Sequence, residues 1–167
     1  MNRPQVNEYP KWADVYISLV KDDVIITLEK QVKDFVNFIN SLTDKGDYAY
    51  AEGKWTIKQL VGHIIDTERI LAYRMLCFVR GDKNPLPGFD EDAYVSHAHF
   101  QDRSLFSLGE EFAAMRTANL YLIKSLNEEE LDRAGIANGV PITPRALAYF
   151  IAGHLIHHKN VIEERYL

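Results

Sequence analysis

The sequence predicts an all-α protein, a four-helix bundle in a single domain that covers residues 1–167. Three observations lead to this fold class. Four long stretches repeat apolar residues with the 3.6-residue period of an amphipathic helix. Each stretch opens with a residue that caps helices, and none alternates apolar and polar residues as a half-buried strand does. A chain of 167 residues suits one hydrophobic core, and no repeat or linker divides it.

The first predicted helix follows an irregular lead-in at residues 1–20. Asp22 is expected to cap this helix, because a carboxylate at that position can accept hydrogen bonds from the free N–H groups of the first turn. The helix is expected to reach about Asp44, before a loop at residues 46–53. Its apolar stripe consists of Leu28, Val32, Phe35, Ile39 and Leu42.

The second predicted helix has the clearest boundaries. Thr56 and Gln59 form the pattern of a capping box, in which each side chain accepts a hydrogen bond from the backbone of the other residue. The helix is expected to run to Arg80 and to stop at Gly81, since glycine favours the left-handed position after a helix. One face of it carries His63, Thr67, Ile70, Arg74 and Cys77.

A long segment rich in turn-forming residues, 81–102, separates the second helix from the third, and one helical turn is expected in it around residues 91–96. The third helix is predicted to begin near Ser104. Asn127 and Glu130 then form a second capping pattern, at the start of a short helical piece. The residues of the third helix expected to face inward are Leu108, Phe112, Met115, Asn119, Leu122 and Leu126.

The last predicted helix follows a loop at residues 134–142. Thr143 is a suitable N-cap, and Pro144 suits the first helical position because its missing N–H would be unpaired there in any case. The helix is expected to continue to about Arg165. Its inner seam consists of Leu147, Ile151, His154, His158 and Ile162.

The long segment also predicts the connectivity. Its 22 residues can span roughly 70 Å when extended, about twice the ~36 Å length of a 24-residue helix. An overhand crossing is therefore possible, which gives the up-down-down-up order and makes the second and fourth helices antiparallel. His63 lies seven residues after the start of one of these helices, and His158 lies seven before the end of the other. Antiparallel packing would bring them to the same level.

Three histidines are the candidate functional residues. His154 and His158 are four residues apart, so their side chains share one face of the helix, and His63 faces them from the second helix. Three neutral imidazoles can hold one divalent metal ion, and three protein ligands with an open position are typical of a catalytic site. Asp66 could orient an imidazole through its second nitrogen, or could be a solvated carboxylate on the helix face. This hypothesis requires the ligand nitrogens to converge on a common point.

Other histidines, and a role without metal, have to be weighed against this assignment. A single inward histidine is more often a hydrogen-bonded core residue than a ligand. His157 could replace His158, but it lies farther from the inner seam and is expected on the outer face or beside the ligands. His97 and His99 lie in the long segment and are expected to be solvated, with a position over the site as the less favoured alternative. Cys77 lies about 21 Å along the helix from His63, too far to share its metal.

The composition excludes several classes of function. A net charge of −5 argues against nucleic acid as a partner, because phosphate binding rests on clustered Lys and Arg. The single cysteine, Cys77, excludes an internal disulfide. The N-terminus lacks the apolar core of a signal peptide, and no apolar run approaches the ~20 residues of a membrane span. We expect a cytoplasmic protein with no membrane partner.

The ligand type leaves the metal and the reaction open. Imidazole suits zinc, nickel, copper and ferrous iron. A metal with an open position can activate water, which leads to hydrolysis, or bind a thiol as thiolate, which leads to thiol transfer. The substrate in both cases is a small molecule. The alternative is a non-catalytic binding or structural module, a bundle whose metal or hydrogen-bonded histidines stabilise a dimer.

The sequence resembles the DinB-like superfamily over about residues 16–166. The matching elements are Trp55-Thr56 with His63 and Asp66, RGD at 80–82, PLPGFDE at 85–91 and GHLIHH at 153–158. That superfamily includes metal-dependent hydrolases and thiol transferases that act with bacillithiol or mycothiol. The resemblance implies a cytosolic bundle in up-down-down-up order, frequently a homodimer. It also implies that His63, His154 and His158 hold nickel or zinc.

Overall fold

Four long helices form the body of the protein, whose computed structural model describes residues 1–167. They are α2 (Val24–Asn40), α3 (Ile57–Val79), α5 (Leu105–Ser125) and α7 (Pro144–Arg165). Three short helices accompany them: α1 (Asp14–Ile17), α4 (Glu91–His97) and α6 (Glu128–Leu131). The predicted all-α four-helix bundle is confirmed. None of the helices combines the length and the hydropathy that crossing a membrane would require.

Three of the four predicted helix starts are correct to the residue. Thr56 and Gln59 form both hydrogen bonds of the capping box at the start of α3. Ser104 caps α5, and Thr143 caps α7 with Pro144 at the first helical position. These starts were predictable because a cap is a contact between residues only two or three positions apart in the chain.

The prediction for the start of α2 was wrong by one residue. Asp23, and not Asp22, caps this helix: its Oδ1 accepts hydrogen bonds from the N–H groups of Ile25 and Ile26, at 2.8 and 3.1 Å. Its other oxygen lies 3.0 Å from the N-terminal ammonium of Met1. Two adjacent aspartates offer equivalent local signals, and the contact with the distant N-terminus distinguishes them.

Two segments predicted to be irregular have defined structure. Residues 11–13 form a 3-10 turn that leads into α1, which packs on α7. The predicted loop 134–142 contains a two-stranded antiparallel hairpin, β1 (Gly135–Ala137) and β2 (Val140–Ile142). Strands of three residues are too short to show a two-residue period. The available signal was Asn138-Gly139, whose positive φ angles of 51° and 76° suit a tight hairpin turn.

Two apolar clusters fill the bundle, one towards each end, and they show how the helices are directed. One cluster contains the first half of α2 and of α7 with the second half of α3 and of α5: Leu28, Leu147, Met75 and Ile123 are members. The other contains the opposite halves: Ile39, Ile162, Leu60 and Leu108 are members. Helices α2 and α7 therefore run one way and α3 and α5 the other. These contacts agree with the predicted up-down-down-up order.

A buried polar network joins all four long helices between the two clusters. Arg116 in α5 is fully buried and donates two hydrogen bonds of 2.7 Å to the carboxylate of Glu68 in α3. It also donates to Gln31 of α2 at 2.6 Å, and Gln31 donates to the carbonyl of Ala152 in α7 at 2.9 Å. The buried stripe of α5 follows Arg116, Leu120 and Ile123, whereas Met115 and Leu122 are only half-buried.

Candidate metal centre

The antiparallel pair α3 and α7 fixes the level at which the three histidines meet. The hydroxyl of Tyr166, just after α7, donates a hydrogen bond of 2.7 Å to the carbonyl of Trp55, just before α3. His63 lies on the second turn of α3 counted from that point, and His158 lies two turns before the end of α7. The side chains of His63, His154 and His158 consequently point into the same space between the helices.

The three ring nitrogens are close enough to bind one ion. The Nε2 atom of His154 lies 3.2 Å from Nε2 of His63 and 3.0 Å from Nε2 of His158. One nitrogen from each of the three residues lies within 4.8 Å of the others. Two zinc ligands at the usual Zn–N bond length lie about 3.3 Å apart when the coordination is tetrahedral. The structure thus brings the three predicted residues together.

Burial keeps the three imidazoles neutral. It lowers the pKa of His63 to about 4, and burial together with the neighbouring His63 lowers that of His158 to about 3. Burial, followed by the charges of His158 and His63, lowers the pKa of His154 well below its usual value. Neutral imidazole is the form that offers a lone pair to a metal. At neutral pH the cluster is therefore ready to act as a ligand set.

Hydrogen bonding alone satisfies this arrangement poorly. Each ring nitrogen of a neutral imidazole carries either one hydrogen or one lone pair. Nε2 of His154 faces two other Nε2 atoms, so it cannot form a normal hydrogen bond with both. Nδ1 of His158 is buried and has no hydrogen-bond partner in the protein, and a cation bound at Nε2 would leave it unpaired as well. A cation that accepts all three Nε2 lone pairs fits the donor set better than any tautomer does.

Asp66 lies on the same helix as His63 but does not hydrogen-bond an imidazole. Its carboxylate lies 3.4 Å from Arg69, with which it forms an ion pair on the surface of α3. Burial raises its pKa, and Arg69 opposes that effect. Of the two predicted roles for Asp66, the contacts match a carboxylate on the helix face, here half-buried and paired.

The remaining histidines are not part of the cluster. His157 is half-buried, with its ring centroid 4.9 Å from that of His158 and 5.2 Å from that of Tyr16. It therefore lies beside the three histidines, as predicted for an outer residue. His97 and His99 are exposed, as expected, and His99 lies 3.7 Å from Asp102.

The histidines form part of the wall of a cavity of about 430 Å³. Aromatic rings form much of the rest: Trp12, Tyr16, Trp55, Phe89 and Phe150. The ring of Trp55 lies 4.8 Å from that of His63, and the ring of Tyr16 lies 5.4 Å from that of His154. A cavity of this size and lining suits a small organic molecule.

Most of the residues that form this wall were not predicted from the sequence. Tyr16 reaches the site because Gly153 lets the backbone of α1 approach α7 closely: a Cβ atom at Gly153 would overlap the carbonyl of Tyr16. The glycine beside His154 was a usable signal for such an approach. No local pattern marked Tyr16 itself, since it lies more than 130 residues from its partner.

Comparisons with known proteins identify relatives of the chain. The sequence model of the DinB superfamily matches residues 22–162. A protein of Oceanobacillus iheyensis named "Putative metal-dependent hydrolase OB0413" is 27% identical over 143 residues, which cover 78% of this chain and 80% of that protein.

A solved structure shares the fold. YfiT from Bacillus subtilis, described as "a probable metal-dependent hydrolase with an unusual four-helix bundle topology", superposes with a TM-score of 0.72. The match covers 98% of this chain and 90% of that one. The sequence identity is 17%, so this likeness shows the fold alone.

Proposed function

The chain belongs to the DinB superfamily, and we propose that it is a metal-dependent enzyme in which His63, His154 and His158 hold a divalent cation, nickel or zinc. The observation that carries this proposal is the convergence of three neutral imidazole nitrogens on the wall of a small-molecule cavity. The name of the Oceanobacillus relative supports the same class of chemistry. Three ligands leave coordination positions free for water or substrate.

A divalent cation at such a site lowers the pKa of water or of a thiol and polarises an electrophilic group. The protein's own residues supply the rest. The aromatic rings of Tyr16, Trp55 and Phe150 restrict water and lower the local dielectric constant, which strengthens electrostatic interactions inside the cavity. The rigid pairing of α3 with α7 fixes the imidazoles, so the ligand set needs little reorganisation when a substrate binds.

One carboxylate lines the cavity and can accept a proton. Glu91, at the first position of α4, is exposed at the rim. Burial raises the pKa of the Tyr16 hydroxyl, and the charge of Glu91 adds to that effect. Burial lowers the pKa of His63, and the nearby charge of Asp92 opposes part of that effect. We propose Glu91 as the base that takes a proton from the attacking water or thiol.

Hydrolysis of a small ester or amide, and S-transfer from a low-molecular-weight thiol to an electrophile, need the same three ligands. Cys77 does not line the cavity, so a thiol would have to come from a substrate. A purely structural metal would need a fourth protein ligand, and the cluster consists of three residues. We further propose that the protein is cytoplasmic and forms a homodimer, as the sequence resemblance implies.

Metal analysis of the purified protein tests the first half of this proposal. We expect about one nickel or zinc ion per chain, and loss of it in the His63→Ala and His154→Ala variants. His97→Ala is the matched control, because His97 is exposed in α4 and should leave the metal content unchanged. Equal metal content in all four proteins would reject the ligand assignment.

Activity screens test the second half. Metal-loaded protein is assayed with a panel of esters and amides, and with pairs of a thiol and an electrophile. Turnover that is lost on chelation and is strongly reduced in Glu91→Gln would support the proposal. If the fully metal-loaded protein turns over neither the esters and amides nor the pairs of a thiol and an electrophile, the non-catalytic module is favoured.

A further inference from the structure

Arg74, in the second half of α3, is a buried arginine without an acidic partner. Its side chain is 8% exposed, and its only side-chain hydrogen bond runs to the carbonyl of Pro87, at 2.7 Å. The two other buried arginines differ. Arg116 is paired with Glu68, and Arg145 lies 2.9 Å from Glu128 and contacts Asp132 as well. Arg74 alone among the three lacks a counter-ion.

Burial of an unpaired charge is unfavourable, and proteins usually compensate for it with an opposite charge. Burial lowers the pKa of Arg74, and no carboxylate acts against that effect. A guanidinium nevertheless keeps its charge in proteins. It has five N–H groups, and the bond to Pro87 uses one of them. The side chain therefore retains unused donors and an uncompensated positive charge.

Arg74 lies on the wall of the same cavity as the histidines. Arg74, Thr67 and His63 all line it and share one face of α3. The hydroxyl oxygen of Thr67 is also buried and has no hydrogen-bond partner. This face of the helix thus carries a candidate metal ligand, an unpaired hydroxyl and an unpaired guanidinium, in that order, on the wall of one cavity of about 430 Å³.

We propose that Arg74 binds the carboxylate of a small organic acid whose apolar body lies against the aromatic wall and whose reacting bond lies at the histidines. The planar guanidinium can donate two parallel hydrogen bonds to the two oxygens of a carboxylate. A single arginine supplies one positive charge, and Glu91 is the one acidic residue on the wall. This combination favours a monoanion over a phosphate dianion.

The helix geometry sets the size of the acid. Arg74 lies eleven positions after His63, which places their Cα atoms about 16 Å apart along the axis. Side chains on a helix lean towards its N-terminus, and this holds for both residues, but the arginine side chain is the longer one, so the guanidinium reaches back farther than the imidazole does. The acid group and the reacting bond are then on the order of 10 Å apart. The reaction at the far end rests on the proposed function, whereas the carboxylate site does not.

The competing explanation is that Arg74 only holds the segment around Pro87 in place. A binding experiment separates the two. The probe is 3-phenylpropionate, with the neutral 3-phenylpropanamide as its matched comparison, and binding is measured by calorimetry and by fluorescence of Trp12 and Trp55, which line the cavity. Each titration is made with the purified protein and again after removal of metal, because a carboxylate can also bind a metal ion.

We expect the carboxylate to bind more tightly than the amide both with and without metal. Arg74→Gln should weaken its binding roughly 10- to 100-fold, since a hydrogen bond to a charged group is lost. Arg74→Lys should recover part of the affinity through its charge. Arg80→Gln is the control: it makes the same charge change at the end of the same helix, at a residue whose side chain is 60% exposed.

Equal affinity for acid and amide in the wild-type protein overturns the proposal, even if Arg74→Gln fails to fold. Unchanged affinity in a folded Arg74→Gln variant also overturns it, and so does carboxylate binding that disappears with the metal. If the purified protein binds no metal, the proposed function is rejected, but the test of carboxylate binding at Arg74 remains valid. If Arg74 does not bind the carboxylate, the assignment of the three histidines as metal ligands is unaffected.

Discussion

Nε2 of His154 and Nε2 of His158 lie 3.0 Å apart, one helical turn from each other on α7, with their ring planes at 78°. A charge on either ring would repel a charge on the other at this distance. The pair is therefore stable as two neutral rings, or as two ligands of one cation.

The metal-free protein should lose stability as the pH falls below about 6.5. Burial holds the pKa of His63 near 4 and that of His158 near 3 in the folded state, whereas both rings take up a proton near pH 6.5 when unfolded. Between these values the unfolded state binds more protons, so acid favours unfolding. The slope is about 1.4 kcal/mol per pH unit for each such histidine.

Urea unfolding of chelated protein between pH 7 and pH 4 measures this slope. His63→Gln should flatten it, because that variant lacks one of the responsible rings. His99→Gln is the control, since His99 is exposed. A free energy of unfolding that stays constant over this range in the wild-type protein would contradict the prediction.

His157 should be dispensable for metal binding, although it is adjacent to His158. Its ring lies beside the cluster and is half-buried, and the three converging nitrogens come from other residues. We expect His157→Ala to retain the metal, with affinity reduced by no more than about 10- to 100-fold, the usual effect of a residue that supports a ligand. His158→Ala should lose it. Competition with a chromogenic chelator gives both affinities, and a reversed order would show that His157 is the ligand.

Gly153 should not tolerate a side chain. Gly153→Ala places a methyl group on the backbone carbonyl of Tyr16, which cannot move aside as a flexible side chain can. We expect the free energy of unfolding to fall by about 1–3 kcal/mol, or α1 to detach from α7. Gly109→Ala is the matched control within α5: its methyl group would meet a terminal carbon of Ile39 at 3.3 Å.

Thermal unfolding compares the two glycine variants. Gly109→Ala should be within about 1 kcal/mol of the wild-type protein, because alanine favours a helix over glycine by that amount. Tyr16 fills part of the cavity wall, so Gly153→Ala should also change the fluorescence of Trp12, which lines the same cavity. Equal stability of the two variants would show that α1 does not depend on this close approach.

Breaking the buried ion pair of Glu68 and Arg116 should lower the free energy of unfolding more than breaking an exposed ion pair does. Glu68→Gln leaves Arg116 with an uncompensated charge at a fully buried position, which typically costs about 3–5 kcal/mol. Glu163→Gln removes an ion pair with Lys159 on the surface of α7, worth about 0.5 kcal/mol or less.

Denaturant midpoints measure both effects. The double variant Glu68→Met with Arg116→Met should be more stable than Glu68→Gln alone, since it removes both charges. If Glu68→Gln and Glu163→Gln have equal effects, Arg116 does not carry an isolated charge in the variant.

The starts of α3, α5 and α7 and the alignment of His154 with His158 were readable from the sequence. Each depends on residues within four positions of one another, where helix geometry and capping act. The predicted depth of His63 along α3 also followed from counting residues to a helix end. Local periodicity was weaker for α5, where the charged Arg116 is fully buried and the neighbouring Met115, which was expected to face inward, is only half-buried.

The tertiary structure decided the remainder. Tyr16 reaches His154, Arg116 reaches Glu68 and Arg74 reaches Pro87 only after the helices have packed. The cap of α2 by Asp23 depends likewise on the N-terminus. Residues that are distant in the chain carry no shared period or spacing, so their contacts leave no local pattern to read. The sequence by itself therefore determined the four long helices and the three histidines, while packing determined the cavity that surrounds these histidines and the lack of an acidic partner for Arg74.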